Sequence, residues 1–375
     1  MTITPFTIAL PQDEIQDLKE RLAMTRWPSV VAPGYGRGQA DHLVRDLADQ
    51  WLNRFDWRKA EAALNAYPQF LAEIDGQTIH FVHVKSGKEG AIPLLLVHGW
   101  PSNFSEFFDL VPFLTDPENN GAPDGQAFDL VIPSIPGFGF SGQVTEPGWD
   151  AARVARAFDS LMKVLGYTRY GFHGGDAGAL VGRELGALAP DGLVGVHLQH
   201  IFAFPNGTEG EMEALTPFER EGFAHLEKFQ KYAGFNDIQQ KRPQTLGYGL
   251  VDSPAGLLAW HAELHFGFEG EGEAFVDRER YLTNAAVYWF TRTAGSAANF
   301  YFENAQTGAG YRETDNPTPT GVSVFPSDFR SVRSFAERAN NIVHWSEMER
   351  GGHFPAIEAP DLLADDLRTF YARLA

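Results

Sequence analysis

The stretch from Tyr170 to Leu180, Tyr-Gly-Phe-His-Gly-Gly-Asp-Ala-Gly-Ala-Leu, carries the plainest chemistry in the chain. An apolar run enters Gly174-x-Asp176-x-Gly178, and helix-forming residues leave it. This small-x-nucleophile-x-small layout turns a strand sharply into a helix and exposes the central side chain. The flanking glycines permit a strained backbone and a close helix–strand approach. The helix N-terminus behind the turn favours negative charge at its centre. Here the centre is Asp176 rather than a serine. A carboxylate is already anionic at neutral pH. It can displace a leaving group from sp³ carbon and become an alkyl ester, which a histidine-activated water then cleaves. An Asp in a Gly-rich turn also serves as an ordinary helix cap, so its companions decide between the two readings.

Those companions are present in a suitable order. His98-Gly-Trp-Pro101 follows an apolar run and precedes a helix. Such a loop supplies one backbone N–H to an oxyanion hole, here from Trp100. Ala177, directly after the nucleophile, supplies the other. His98 is expected to hold the loop rather than carry protons. Late in the chain, Arg350-Gly-Gly-His353 follows a strand-like run and positions His353 as general base. The orienting acid should follow the strand before it. Asp328, in Phe325-Pro-Ser-Asp328, stands 25 positions ahead of His353. Glu347 and Glu349 lie nearer, on or beside the last strand, where surface pairing is expected.

Alternating strands and helices must hold these groups. Ile79–Val84, Pro93–Val97, Phe128–Ile132 and Tyr170–His173 read as strands, with helices over about 104–114 and 151–165 between them. Such alternation implies a mainly parallel sheet covered on both faces. Residues 1–72 read as helical and irregular, with Ile15, Leu18 and Leu22 on one helix and Leu43, Leu47 and Trp51 on another. Residues 204–317 are helical and aromatic and read as an insertion, in which Ser253-Pro254 caps a helix. Gly321–Phe325 and Ile342–Trp345 read as the last strands, and 359–375 as a closing helix. The expected division is an N-terminal extension (1–72), a core in two parts (73–203 and 318–375) and a helical cap (204–317).

Composition narrows the partners. The 375 residues include 30 basic and 49 acidic side chains, a formal charge of −19. That surface repels nucleic acid and anionic lipid. No apolar run approaches the roughly 18 residues that span a bilayer, and the first residues lack a basic n-region. The absence of cysteine removes thiolate metal sites and disulfides and permits a reducing compartment. A cytoplasmic protein with no membrane and no nucleic-acid partner is expected; a homodimer is left open.

At these residues the chain resembles the microsomal-type epoxide hydrolases of the α/β-hydrolase superfamily. The likeness runs through Thr25-Arg-Trp-Pro28, Phe55-Asp-Trp-Arg58, Tyr67-Pro-Gln-Phe70, Ile74-Asp-Gly76, His98-Gly-Trp-Pro101, Gly137-Phe-Gly-Phe-Ser141, Gly174-Gly-Asp176, Arg242–Gly249 with Asp252-Ser-Pro254, Phe300-Tyr301 and Arg350–Phe354. It implies an α/β-hydrolase core with an N-terminal extension and a cap, and hydrolysis of a small apolar epoxide without cofactor or metal, a detoxification chemistry. It also implies that Asp176 opens the oxirane, that His353 with Asp328 activates water, and that two cap tyrosines bind the epoxide oxygen. Tyr301 matches one of them. At the other position this chain has Phe235, which lacks the hydroxyl. Tyr232, Tyr248 and His225 stand as replacements that sequence does not separate, and Phe235, Tyr232, Tyr248 and Trp100 are the expected pocket residues. Ala177 replaces a bulkier residue usual in the family, which should enlarge the pocket floor.

Two other functions compete. A dehalogenase uses the same Asp nucleophile, but Ala177 removes the halide-binding Trp often found there. A weakly active or non-catalytic ligand binder is suggested by Phe235 and opposed by the retained Asp176, Asp328 and His353. His261-x-Glu263-x-His265 places two imidazoles on one helix face, but it lacks the zinc-protease order and is read as packing or surface. His80-x-x-His83 falls on opposite strand faces. Glu269-Gly-Glu-Gly-Glu273 is read as a solvated acidic loop. The sequence contains no phosphate loop and no dinucleotide fingerprint.

Overall fold

The computed structural model describes residues 2–374. Wholly apolar strands form where both faces are covered: Leu94, Leu95, Leu96 and Val97 are all fully buried. The strands are β1 (Ile3–Phe6), β2 (Gln69–Ile74), β3 (Gln77–Val84), β4 (Ile92–Val97), β5 (Phe128–Pro133), β6 (Tyr170–Gly174), β7 (Leu193–Leu198), β8 (Asn316–Val324) and β9 (Asn340–Glu347). They make one nine-stranded sheet in the order β1-β2-β3-β5-β4-β6-β7-β8-β9. The first three pairings are antiparallel. From β5 to β9 every pairing is parallel.

Around the sheet run α1 (Gln12–Ala23), α2 (Asp41–Asn53), α3 (Trp57–Leu64), α4 (Val111–Thr115), α5 (Ala151–Val164) and α6 (Ala177–Leu188). Between β7 and β8 come α7 (Pro217–Tyr232), α8 (Gly234–Lys241), α9 (Pro243–Leu250), α10 (Pro254–His265), α11 (Arg278–Thr291) and α12 (Ala294–Thr307). The chain closes with α13 (Arg333–Ala336), α14 (Pro355–Glu358) and α15 (Pro360–Ala372). Local chemistry sets these boundaries. Thr216 and Glu219 form a reciprocal capping box on α7. Ser253 Oγ accepts the Gly256 N–H at 3.0 Å, with Pro254 as the first residue of α10.

The N-terminal segment departs from expectation. The sequence reads as helical and irregular there, yet β1 and β2 extend the core sheet. β1 is an edge strand of four residues, too short for a periodicity to register. The Gln69–Ile74 run was hidden because it begins beside a Pro and holds Gln and Glu. Once paired with β3 its backbone bonds are satisfied and Gln69 is buried. α1 packs against α10, and α2 against α10 and α11, so the same segment touches both sheet and cap. β7 was also not anticipated; it carries Gly195 and His197 within an otherwise apolar run.

Candidate active site

The carboxylates, imidazoles and the Trp100 loop at the site follow the carboxyl ends of parallel strands, where open α/β sheets place their sites. Asp176 follows β6, the Trp100 loop follows β4, Gln199 and His200 follow β7, Asp328 follows β8, and His353 follows β9. Asp176 adopts φ 47° and ψ −119°, a conformation costly for a residue with a Cβ. The turn is enforced by close approach. A Cβ on Gly178 would lie 2.0 Å from the Val97 carbonyl oxygen, and one on Gly99 would lie 2.4 Å from Asp176 Cβ. Only glycine lets α6 and the β4 loop press together around the carboxylate.

The two oxygens of Asp176 differ. Oδ1 accepts the Trp100 backbone N–H at 2.7 Å. Ala177 opens α6, so its own N–H has no acceptor within the helix. Oδ2 faces His353 Nε2 at 4.0 Å. The Trp100 loop is held from three sides. Ile135 N–H donates to His98 Nε2 at 3.2 Å, which puts the His98 proton on Nδ1, where it donates to Gly99 O at 2.9 Å. From α11, Asn284 donates to Pro101 O and the Tyr288 hydroxyl to Ser102 O, both at 2.6 Å. Burial lowers the His98 pKa to about 4, so it holds the loop as a neutral imidazole.

Asp328 gathers three partners. His353 Nδ1 lies 2.9 Å from Oδ1, and Gln199 Nε2 donates to Oδ2 at 2.8 Å. His200 Nδ1 is 3.2 Å from the same Oδ2, while its Nε2 accepts the Asp176 N–H at 3.1 Å. The latter bond fixes the His200 proton on Nδ1. His200 therefore ties the backbone of Asp176 to the carboxylate of Asp328. Sequence reasoning missed both Gln199 and His200; the signal was their place directly after β7. Burial opposes charge on Asp328, but His353 and His200 outweigh it and hold its pKa well below the usual carboxylate range. Burial likewise opposes charge on His353, yet Asp328, then Asp176 and Glu106, push its pKa up to about 10. Glu106, also missed, is 7% exposed, and burial raises its pKa to about 7.

A cavity opens beside Asp176. Asp176, Ala177, Leu180, Gln240, Phe300, Tyr301, Asn304 and Tyr311 line it. Tyr301, on α12, stands in the cavity wall with its ring edge-on to Trp100 at 5.8 Å. Phe235 is stacked on Trp100 at 5.0 Å and backed by Phe229 and Phe268. Trp100 and Phe235 thus form the aromatic layer behind Tyr301 and do not themselves line the cavity. Two expected pocket residues lie elsewhere. Tyr248 is 72% exposed, because α9 turns that face to solvent. Tyr232, at the end of α7, lies against Phe268 and beneath the Lys231 ammonium. His225, on α7, does not line the cavity either.

His261 and His265 are packing residues, as expected. His261 is fully buried between Trp100 and Tyr288 with neither ring nitrogen partnered, and His265 stacks on Phe354 at 4.6 Å. His197, His344 and Asp366 bring ligand-type atoms together elsewhere. Their atoms already satisfy one another, with His197 Nε2 and His344 Nε2 at 2.8 and 2.7 Å from the two Asp366 oxygens.

A parallel sheet with a strained Asp on its strand–helix turn, a histidine–carboxylate pair on the neighbouring strand ends and a helical insertion above defines an α/β hydrolase. The comparisons agree. Residues 92–237 match the model of the alpha/beta hydrolase fold, and residues 3–107 match that of the epoxide hydrolase N terminus. Epoxide hydrolase 1 of Sus scrofa is 34% identical over 100% of this chain and 89% of its own. The structure of Aspergillus niger epoxide hydrolase superposes with a TM-score of 0.88 at 33% identity, covering 100% of this chain and 97% of that one. Juvenile hormone epoxide hydrolase from Bombyx mori gives 0.90 at 28% identity, covering 100% and 95%. The chain belongs to the microsomal-type epoxide hydrolase family. Among the described residues, no helix is long and apolar enough to cross a membrane.

Proposed function

We propose that this protein hydrolyses an epoxide to a vicinal diol through a covalent ester on Asp176. The observation that carries the reading is the division of labour at one carboxylate. Trp100 N–H engages Oδ1 at 2.7 Å, while Oδ2 faces His353 Nε2 at 4.0 Å and, among the described residues, accepts no hydrogen bond. Oδ2 is thus the free nucleophile. It attacks an oxirane carbon from the back, the carbon–oxygen bond of the ring breaks, and its electron pair goes to the oxirane oxygen. The Tyr301 hydroxyl, in the same cavity, donates to that oxygen.

Ester formation consumes the charge on Asp176. One of the carboxylates that raise the His353 pKa is then gone, so the imidazolium gives its proton to solvent and becomes a base. It takes a proton from water, and the hydroxide adds to the ester carbon. The developing oxyanion on Oδ1 meets the N–H groups of Trp100 and Ala177, a contribution worth on the order of 10²–10³ in rate for one such donor. The acyl carbon–oxygen bond breaks, the leaving diol oxygen takes a proton from His353, and the new carboxyl group passes its own proton to the imidazole, which restores both the Asp176 carboxylate and the charged His353. Asp328 keeps the imidazole oriented and stabilises its charged form. No electron is transferred overall, so the chemistry calls for no redox cofactor. The substrate is expected to be a small, largely apolar epoxide.

The test is turnover of styrene oxide and an aliphatic oxirane in ¹⁸O-water with diol analysis. Diol formation with label entering the Asp176 carboxylate over repeated cycles is expected. Halide release from haloalkanes without diol would instead mark a dehalogenase, and ligand binding without product a non-catalytic relative.

A further inference from the structure

We infer that Tyr311 donates the second hydrogen bond to the oxirane oxygen, in place of the hydroxyl that Phe235 lacks. The inference rests on the proposed function and names a further catalytic residue for it. Phe235 removes one phenol from the cap, and the replacements considered from sequence do not reach the cavity. Tyr311 does, standing in its wall with Asp176 and Tyr301. Among the described residues, the hydroxyls of Tyr301 and Tyr311 hydrogen-bond to no other group, whereas the Tyr281 and Tyr288 hydroxyls are each committed to a backbone carbonyl. A free phenol at a cavity wall is available to a ligand oxygen.

The position of Tyr311 is built rather than incidental. Its segment, between α12 and β8, is pinned to α6, the helix that Asp176 precedes. Gly310 N–H donates to Glu184 Oε1 at 2.7 Å, and Gly310 O accepts from Arg183 Nη1 at 3.1 Å. Arg312 closes an ion pair with Glu184 at 3.0 Å. Gly310 takes φ 78°, and a Cβ there would lie 2.6 Å from Leu180 Cβ. Phe202 backs the Tyr311 ring at 5.5 Å. Tyr311 is 39% exposed, so it forms the open side of the cavity. Burial of its hydroxyl end, then the negative charge of Asp176, push its pKa above the ordinary tyrosine range. It therefore stays protonated and able to donate. In the reaction the oxygen freed by ring opening takes a phenolic proton from Tyr301 or Tyr311, and solvent restores it. Tyr301 and Tyr311 sit ten positions apart in the chain and reach the cavity from a helix and a loop.

The experiment is single-turnover ester formation with styrene oxide. Tyr311→Phe should slow it on the order of a hundredfold, and adding Phe235→Tyr to that variant should restore part of the loss. A Tyr311→Phe protein with an unchanged melting temperature and an unchanged ester-forming rate overturns the inference. Should the variant fold poorly, 3-fluorotyrosine placed at position 311 decides. Its more acidic phenol should raise the ester-forming rate, and an unaltered rate overturns the assignment. Asp176→Asn separates the two layers. Ester formation that needs Asp176 but ignores Tyr311 sinks this inference alone, whereas turnover that survives Asp176→Asn sinks the proposed function.

Discussion

His353 Nε2 stands 4.0 Å from Asp176 Oδ2, while its Nδ1 stands 2.9 Å from Asp328 Oδ1. The imidazole is thus bonded to the acid and only adjacent to the nucleophile. A serine nucleophile would need that missing hydrogen bond in order to lose its proton. A carboxylate does not, and the gap leaves Oδ2 free to attack.

The two halves of the proposed cycle should separate by mutation. Asp176→Asn is expected to abolish ester formation, lowering turnover by roughly 10³-fold or more. His353→Gln should leave attack largely intact and stop hydrolysis. Intact-protein mass spectrometry after one equivalent of epoxide should then show a stable adduct, located on Asp176 by peptide mapping. An adduct on another residue would reassign the nucleophile.

Ionisation of His353 should appear in stability. Its folded-state pKa is raised to about 10 from an ordinary value near 6.5. The contribution is therefore full below about pH 6.5 and is lost as pH rises through about 10. Urea unfolding of the parent and of His353→Gln should differ most at pH 6 and converge toward pH 10. A gap that widens with pH would contradict the assignment.

Glu106 should behave in the opposite sense to a paired carboxylate. Burial lifts its pKa to about 7, so the folded state holds its proton above the pH at which the unfolded chain loses it. Stability should fall as pH rises from about 4.5 to 7 and then level off, a cost on the order of 3 kcal/mol. Glu106→Gln should flatten that slope and make the protein more stable at pH 8 than the parent. Denaturant midpoints across pH 4–8 measure it.

Gly178→Ala tests the turn itself. The added methyl would sit 2.0 Å from a backbone oxygen, which no rotamer relieves. Destabilisation of about 3 kcal/mol or more is expected, together with loss of ester formation, because α6 would be forced away from the Trp100 loop. Unfolding by guanidinium and single-turnover kinetics check the two effects.

Sequence alone determined the parts whose geometry is local. The strained turn at Asp176 needs glycines at fixed offsets, so Gly174-x-Asp176-x-Gly178 announces itself in the string. Asp328 and His353 are legible because each follows a strand in chain order, and Tyr301 because it matches a family string. Tertiary structure decided what depends on pairing and on approach from distant segments. β1 and β2 become strands only because β3 offers an edge. His200 bridges Asp176 and Asp328 only because β7 lies between β6 and β8. Tyr248 and Tyr311 are the same residue type, with three cap helices between them in the chain. The rotation of α9 sends the first into water, and the contacts of Gly310 with α6 hold the second in the cavity wall with Asp176, because which face of a segment is buried depends on the surface it docks against.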